Sequence, residues 1–264
     1  MSFFYIWTFV CLPIWLLGHD RLETISVFQN SPVFDNIGYG NCDGSVNGEK
    51  NLIQNVLRSG DVVFDVGADI GDWSKHILAR NQDVYLHAFE PIPTAFKILE
   101  KKLNFQNVHL YNIAISQEIG TADFFVYLGN SGLTDCSSLY YRPIIGHCLT
   151  EKITVETQSL DHFCNVNSID HIDLLKIDTE GAEWFIFLGA QELLNRQAIT
   201  LIQFEYGGCN IDSKTTLQQM YELLTSKGYS VYRIVPDGLV EIHTWDPQLE
   251  NFQYSNYLAS LNES

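Results

Sequence analysis

Apolar runs alternate with amphipathic stretches along most of this 264-residue chain. Short apolar runs are typical of buried strands, whereas apolar residues three or four positions apart predict helices. Strands are predicted at 62–66, 86–90, 108–115, 122–127, 172–177 and 200–205. Helices are predicted to begin at Glu49, Asp72, Pro93, Glu183 and Leu217. This alternation predicts an α/β fold with a doubly wound, mostly parallel sheet. Segments 229–235 and 239–243, joined by Pro-Asp-Gly, predict a closing antiparallel hairpin.

The strand predicted at 62–66 runs directly into an acidic, glycine-spaced turn. Gly67 allows a tight turn, and Gly71 allows close approach of a ligand or of the following helix. Glu90 ends the next predicted strand, where a carboxylate can accept both hydrogens of a ribose diol. The two strand ends together indicate one half of a nucleotide-type site.

The charge of this turn distinguishes between two ligands. A dinucleotide site needs three glycines, because the pyrophosphate lies against bare backbone amides. Here Asp65 and Asp69 lie in the turn, where they would repel a pyrophosphate but attract the ammonium and sulfonium of S-adenosylmethionine. We therefore predict a donor site formed by Asp65, Gly67, Asp69, Gly71, Glu90 and Asn112, the last beside the adenine. An NAD-dependent oxidoreductase and a catalytically silent nucleoside-binding module remain as alternatives.

Further carboxylates are predicted to meet the donor site at the same edge of the sheet. Asp178 and Glu180 follow one predicted strand and Glu205 ends the next, and ligands bind beyond such strand ends. Asp178 is the first candidate for a general base and Glu180 the second, since clustered carboxylates raise one another's pKa. The same three residues are hard oxygen ligands, so Mg²⁺ is an alternative occupant. A purely structural interpretation makes Asp178 a helix cap.

Six segments, taken in order, carry the motifs of a known family. They are 65–71, 89–93, 174–181, 203–207, 236–239 and 250–254. Over roughly 47–259 the chain resembles the FkbM-type methyltransferases, with Asp69 where that family usually carries Asn. The resemblance implies a Rossmann-like class I fold with a seven-stranded sheet and S-adenosylmethionine as the methyl donor. It also implies O-methylation of a hydroxyl on a sugar, lipid or polyketide-type acceptor.

Charge and cysteine spacing narrow the classes of partner. The net charge is −17, which argues against nucleic acid and anionic membranes because their phosphates would be repelled. The six cysteines are scattered without a Cys-x-x-Cys pair, so no zinc site is predicted. The expected partner is a small-molecule, glycan or lipid acceptor, and the expected location is the cytoplasm.

Three segments of the chain are expected to differ in role. Residues 1–18 are apolar and could pack on the domain, lie at an interface, anchor the chain to a membrane or be a cleaved signal. Residues 19–46 form a lead-in region, and 47–264 the methyltransferase domain. Within that domain, 128–152 is predicted to be an irregular insertion that acts as a lid, a binding loop or a surface excursion.

Overall fold

The computed structural model describes residues 20–28, 40, 43–80, 83–129, 136–143 and 147–262. The prediction for the apolar segment 1–18 lies outside these residues. Among the described helices, none has the length and apolar character needed to cross a membrane.

The strands alternate with helices as predicted. In the described part of the chain the strands are β1 (Val27–Phe28), β2 (Val62–Val66), β3 (Tyr85–Phe89), β4 (Val108–Tyr111), β5 (Ala114–Ile115), β6 (Gly120–Leu128), β7 (Cys148–Gln158), β8 (Ile172–Ile177), β9 (Ile199–Tyr206), β10 (Tyr229–Val235), β11 (Gly238–Glu241) and β12 (Ser255–Leu261). The α-helices are α1 (Glu49–Val56), α2 (Asp72–Arg80), α3 (Pro93–Lys102), α4 (Leu160–Val166), α5 (Glu183–Leu188), α6 (Gln191–Asn195), α7 (Cys209–Ser213) and α8 (Leu217–Ser226).

The main sheet has nine strands in the order β1-β11-β10-β12-β9-β8-β2-β3-β4. The five strands from the edge strand β4 through β3, β2 and β8 to β9 are parallel, whereas β12 runs antiparallel to both β9 and β10. The seven strands from β4 to β10 form the expected seven-stranded array. The predicted hairpin of β10 and β11, followed by β1, extends that array to nine. The α/β, mostly parallel architecture is therefore confirmed.

Helices cover both faces of this sheet. Successive residues of one strand point to opposite faces, so Val63 packs in a cluster with α1, α2 and α3. Its neighbour Phe64 packs in the cluster that includes α5, α6 and α8. Leu22 and Ile25 of the lead-in region are buried in the first cluster. The described part of that region thus packs on the domain instead of standing apart.

Two predicted elements are broken in the structure. The strand predicted at 108–115 becomes β4 in the main sheet and β5 in a separate sheet of order β5-β7-β6. The helix predicted at 183–195 is divided into α5 and α6 at Gly189. A Cβ on Gly189 would lie 2.3 Å from the carbonyl oxygen of Ser116, so the chain there passes too close to another backbone for most side chains.

Besides the two-residue strand β1, two strands were not predicted. The last residues of the irregular insertion predicted at 128–152 belong to a strand, because β7 begins at Cys148 and pairs antiparallel with β6. The other missed strand is β12, which inserts between β9 and β10 and brings Asn256 opposite Glu205. Its sequence mixes Ser, Asn and Ala with apolar residues. It therefore lacks the continuous apolar run that marks β2 and β8.

Candidate active site

The turn after β2 depends on a glycine for steric reasons. Gly67 has φ 85°, and a Cβ there would lie 1.8 Å from the backbone carbonyl oxygen of Asp178. No side chain can occupy that space. The glycine lets the β2 turn pass directly against the end of β8, so the predicted donor turn and the predicted catalytic segment are in contact.

The second glycine of the motif makes room for a helix. A Cβ on Gly71 would lie 2.5 Å from Leu99 Cδ1 of α3. The helix that lies close to Gly71 is therefore α3, and not the following helix α2 that was predicted to approach it. Asp69 has φ 45°, a left-handed conformation that Asn and Asp adopt more readily than other residues. Asn and Asp both tolerate this conformation, so the Asp that stands where the FkbM-type pattern has Asn fits the turn.

Asp65 lies beneath the turn. Its side chain is fully buried, accepts a hydrogen bond from Ser74 Oγ (2.6 Å) and has its Oδ1 3.5 Å from Lys176 Nζ. Burial raises the pKa of Asp65, while the Lys176 ammonium opposes that rise. Asp65 is not among the residues that line the adjacent cavity. These contacts tie α2 and β8 to β2, and the predicted contact of Asp65 with the donor stays a prediction.

Glu90 lies at the end of β3 with its carboxylate turned back toward the glycine turn. It accepts hydrogen bonds from the backbone N–H groups of Asp69 (2.8 Å, to Oε2) and Ile92 (2.7 Å, to Oε1). Burial raises the pKa of Glu90 to about 8, and the nearby Asp69 adds to the rise. The carboxylate is thus held at a fixed place in the wall of the cavity.

Asn112 acts on the backbone beside Glu90. Its side-chain amide donates to the carbonyl oxygens of Glu90 (2.8 Å) and Pro91 (3.1 Å). Asn112 is not among the lining residues of the cavity, whereas the next three residues, 113–115, are. Asn112 thus positions the Glu90 strand end, and its predicted place beside the adenine stays a prediction.

The cavity at this edge of the sheet encloses about 940 Å³, including the space at its open mouth. Its apolar walls include Phe89, Ile92 and Phe124. One cationic side chain, Lys176, lines the cavity. The acidic side chains that line it are more numerous: Asp69, Asp72, Glu90, Asp178 and Glu180. Such a site attracts a positively charged ligand.

Asp178 and Glu205 form a proton-sharing pair beside Lys176. Lys176 Nζ lies 3.0 Å from Asp178 Oδ2, and Glu205 donates a side-chain hydrogen bond to Asp178. Burial raises the pKa of Asp178, but the Lys176 ammonium and the hydrogen bond from Glu205 together outweigh burial, so the pKa is lowered. Burial and the neighbouring carboxylates raise the pKa of Glu205 well above its usual range. The proton of the pair therefore resides on Glu205, which differs from the expectation that the cluster raises the pKa of Asp178.

Glu180 is held by an arginine from the loop before β7. Arg142 pairs with the Glu180 carboxylate, and its Nε lies 3.5 Å from Asp212 Oδ2. Burial raises the pKa of Glu180 to about 7, although Arg142 opposes that rise. The residue has φ 55°, and its carbonyl oxygen accepts from Ser138 Oγ (2.7 Å). Left-handed backbone at a non-glycine, non-Asx residue is strained and is often found at functional sites.

The sequence analysis did not predict a role in the site for Glu183 or for Arg142. Glu183 is fully buried, and its Oε1 accepts from the backbone N–H groups of Thr179 (3.0 Å) and Gly181 (3.2 Å), which shapes the loop after β8. Its place in the first turn of α5, where the helix dipole favours a carboxylate, is a signal that could have revealed it. Arg142 lies in an irregular segment, and nothing in its sequence surroundings indicates its partner.

The donor atoms present do not suit Mg²⁺. Among the described residues, the acidic, histidine and cysteine side chains that converge within 4.8 Å are those of Glu180, Glu205 and Cys209. Asp178, the first predicted ligand, is not in that group. Mg²⁺ takes oxygen ligands and not thiols. Arg142 already neutralises Glu180, so this set does not support the Mg²⁺ alternative.

A second cavity of about 1230 Å³ lies beside the first, between α1, α2 and the segment before β12. The two cavities share Asp72, Trp73, Lys176 and Asp178. Asp178 keeps 35% of its side-chain surface exposed at this junction. One carboxylate is therefore accessible from both spaces.

Residues 65–231 match the sequence profile of the methyltransferase FkbM domain. The chain belongs to this family. It is a methyltransferase that depends on S-adenosylmethionine, and the glycine turn, the Glu90 strand end and the Asp178 segment all lie within the matched residues.

Two FkbM-family relatives and one solved structure illustrate the range of similarity. The 2-O-methyltransferase NoeI of Sinorhizobium fredii is 27% identical over 177 residues, covering 62% of this chain and 71% of its own. The 31-O-demethyl-FK506 methyltransferase FkbM of Streptomyces tacrolimicus is 38% identical over 73 residues, 27% of this chain and 28% of its own. A precorrin-6y C5,15-methyltransferase from Geobacter metallireducens superposes with TM-score 0.43 at 11% identity, covering 81% of this chain and 87% of its own.

The FkbM-domain cavity suits the donor of this family. S-adenosylmethionine carries a ribose diol, an adenine and two cationic groups. The buried carboxylate of Glu90 at a strand end is available for the ribose diol, and the apolar segment 113–115 is available for the adenine. The excess of carboxylates is available for the two cationic groups.

Proposed function

We propose that the chain transfers the methyl group of S-adenosylmethionine to a hydroxyl oxygen, with Asp178 as the general base. The observation that carries this proposal is the position of Asp178, which borders both cavities and is held ionised by Lys176. The name of the relative NoeI, a 2-O-methyltransferase, supports a hydroxyl acceptor. The catalytic domain is proposed to span 47–264.

For donor binding, we assign the ribose contact to Glu90 and the adenine contact to the apolar segment 113–115. Backbone N–H groups fix the Glu90 carboxylate, and Asn112 fixes its backbone, so a diol would meet acceptors that are already oriented. Asp69 faces the amino-acid end of the donor in this assignment. Asp65, Gly67 and Gly71 support the site by shaping the turn.

For the transfer step, S-adenosylmethionine supplies a methyl group that is already activated by its sulfonium. The acceptor oxygen must lose its proton as it attacks, and Asp178 takes that proton. Lys176 keeps Asp178 ionised beforehand, and Glu205 donates a hydrogen bond to the same carboxylate. A positioned base of this kind commonly contributes about 10²–10⁴ in rate. Glu180, whose pKa is about 7, is the second candidate for the base.

The proposal is tested first by calorimetric titration of the full chain with S-adenosylhomocysteine and, separately, with NAD⁺. The proposal requires binding of S-adenosylhomocysteine and no binding of NAD⁺. A screen with labelled S-adenosylmethionine and hydroxylated acceptors then measures turnover. Donor binding without turnover on any hydroxyl acceptor would contradict O-methylation and support the silent binding module instead.

A further inference from the structure

We propose that the second cavity binds the methyl acceptor, and that this acceptor is an uncharged, polyhydroxylated ring such as a sugar. The inference rests on the proposed O-methyl transfer and specifies its acceptor. Three observations carry it: how the two cavities meet, which polar atoms of the second cavity lack partners, and how its wall is composed.

The position of the second cavity fits an acceptor path. It meets the donor cavity at Trp73, Lys176 and Asp178, and it has its own opening beside α1 and α2. An acceptor that enters there would reach Asp178 without crossing the space assigned to adenine and ribose. In-line transfer needs the acceptor and donor to meet from different sides of the methyl carbon. Two adjoining cavities with a base at their junction provide that arrangement.

Two side chains in the wall of the second cavity have polar atoms without a hydrogen-bond partner. The Trp73 indole nitrogen and His76 Nε2 are buried and have no hydrogen-bond partner among the described residues. Both residues are on α2, and both line the second cavity. A buried donor or acceptor without a partner is unfavourable. Rotation of either side chain toward the cavity would bring these atoms to a ligand whose hydroxyl groups can donate to His76 and accept from Trp73.

The composition of the wall favours a sugar over a lipid or an anion. Ile53 and Ala79 are its aliphatic side chains, and Trp73 supplies an aromatic surface. A lipid chain would lose its hydration shell here without gaining a continuous apolar surface.

Its charged residues are three lysines, Lys50, Lys75 and Lys176, and four acids, Asp43, Glu49, Asp72 and Asp178. This near balance gives an anionic acceptor no net attraction. A ring with one apolar face and several hydroxyls matches an indole surface surrounded by polar groups.

The first experiment obstructs the second cavity and leaves the donor cavity open. Ala79→Phe places a phenyl ring at a residue of the cavity wall. Arg80→Phe places the same ring one position further along α2, at an exposed residue outside both cavities. The acceptors are a panel of methyl hexopyranosides, and methyl transfer and S-adenosylhomocysteine affinity are measured for each variant.

We expect Ala79→Phe to raise the KM for the sugar at least tenfold while S-adenosylhomocysteine affinity stays within twofold of wild type. Arg80→Phe should change neither quantity. An unchanged KM in Ala79→Phe would overturn the acceptor site. Turnover of fatty-alcohol or anionic acceptors in place of the sugars would overturn the acceptor class.

A binding measurement separates failure of this inference from failure of O-methyl transfer. If no methyl hexopyranoside is methylated, saturation-transfer NMR is recorded with these sugars and the S-adenosylhomocysteine-loaded chain. Sugar binding that Ala79→Phe abolishes and Arg80→Phe retains would support the cavity while contradicting the transfer reaction. Absence of sugar binding to the loaded wild type would overturn the acceptor site itself.

Discussion

The carbonyl oxygen of Asp178 occupies the space where a side chain on Gly67 would begin, 1.8 Å from the Cβ position. The donor turn and the proposed base are thereby fixed relative to each other through the backbone. A methyl donor held by the turn and a proton acceptor at the end of β8 cannot move apart without disturbing this contact.

Replacement of Gly67 by alanine should therefore damage both stability and donor binding. Gly60 is a matched control, because it also has positive φ (88°) but a Cβ there would meet nothing within 4 Å. Both substitutions incur left-handed strain, whereas Gly67→Ala adds a clash worth about 1–3 kcal/mol. Urea unfolding should show that excess loss, and S-adenosylhomocysteine affinity should fall in Gly67→Ala alone. Equal effects of the two variants would contradict the contact.

Donor affinity should depend on pH through Glu90. Its pKa is raised to about 8, so the carboxyl is protonated below that pH, and a ribose diol binds best to the ionised form. Affinity for S-adenosylhomocysteine should rise about tenfold per pH unit up to pH 8 and then level off. Calorimetry from pH 6 to 9 measures this, and Glu90→Gln should bind more weakly with the slope removed.

The same group should have the opposite effect on folding. A carboxyl whose pKa is higher in the folded chain than in the unfolded one binds more protons when folded. Its contribution to the free energy of unfolding therefore falls as pH rises from the unfolded value, about 4.5, to the folded value, about 8. Without donor, Glu90→Gln should remove part of this fall. An identical pH profile for both chains would contradict the raised pKa.

Asp178→Asn should leave donor binding nearly intact and slow transfer about 10²–10⁴-fold, the usual effect of losing a positioned base. Glu205→Gln provides the control, because Glu205 carries the proton of the pair and a glutamine amide can still donate to Asp178. That variant should keep its rate within about tenfold of wild type. Single-turnover kinetics with bound donor measure the step. If methyl transfer were slow in Glu205→Gln and fast in Asp178→Asn, Glu205 would be the base and Asp178 its hydrogen-bond partner.

The pair of Arg142 and Glu180 should contribute more to stability than an exposed pair. Its side chains are only 11% and 18% exposed, against 54% and 56% for Lys152 and Asp123. Arg142→Gln should cost about 1–3 kcal/mol in urea unfolding, because a mostly buried carboxylate loses its partner. Lys152→Gln should cost less than about 1 kcal/mol. Comparable losses would show that Arg142 does not hold the loop.

Much of the fold follows from the sequence alone. The apolar run Val62–Val66 predicts a buried strand, and the glycines of 65–71 predict the turn. Both signals are local, because backbone conformation and burial depend mainly on residue type and spacing. The same holds for the Pro-Asp-Gly hairpin of β10 and β11. The sequence also placed Asp178, Glu180 and Glu205 at neighbouring strand ends, since strand order in such folds is restricted.

Tertiary structure decided what each of these carboxylates touches. Asp65 looked like a donor contact, yet its partners are Ser74 and Lys176 beneath the turn. Arg142 reaches Glu180 across 38 residues of sequence. The strand β12 lies between β9 and β10 and pairs with both. Such partners come from distant parts of the chain, and periodicity reports the burial of a residue but not the identity of the residue against which it packs.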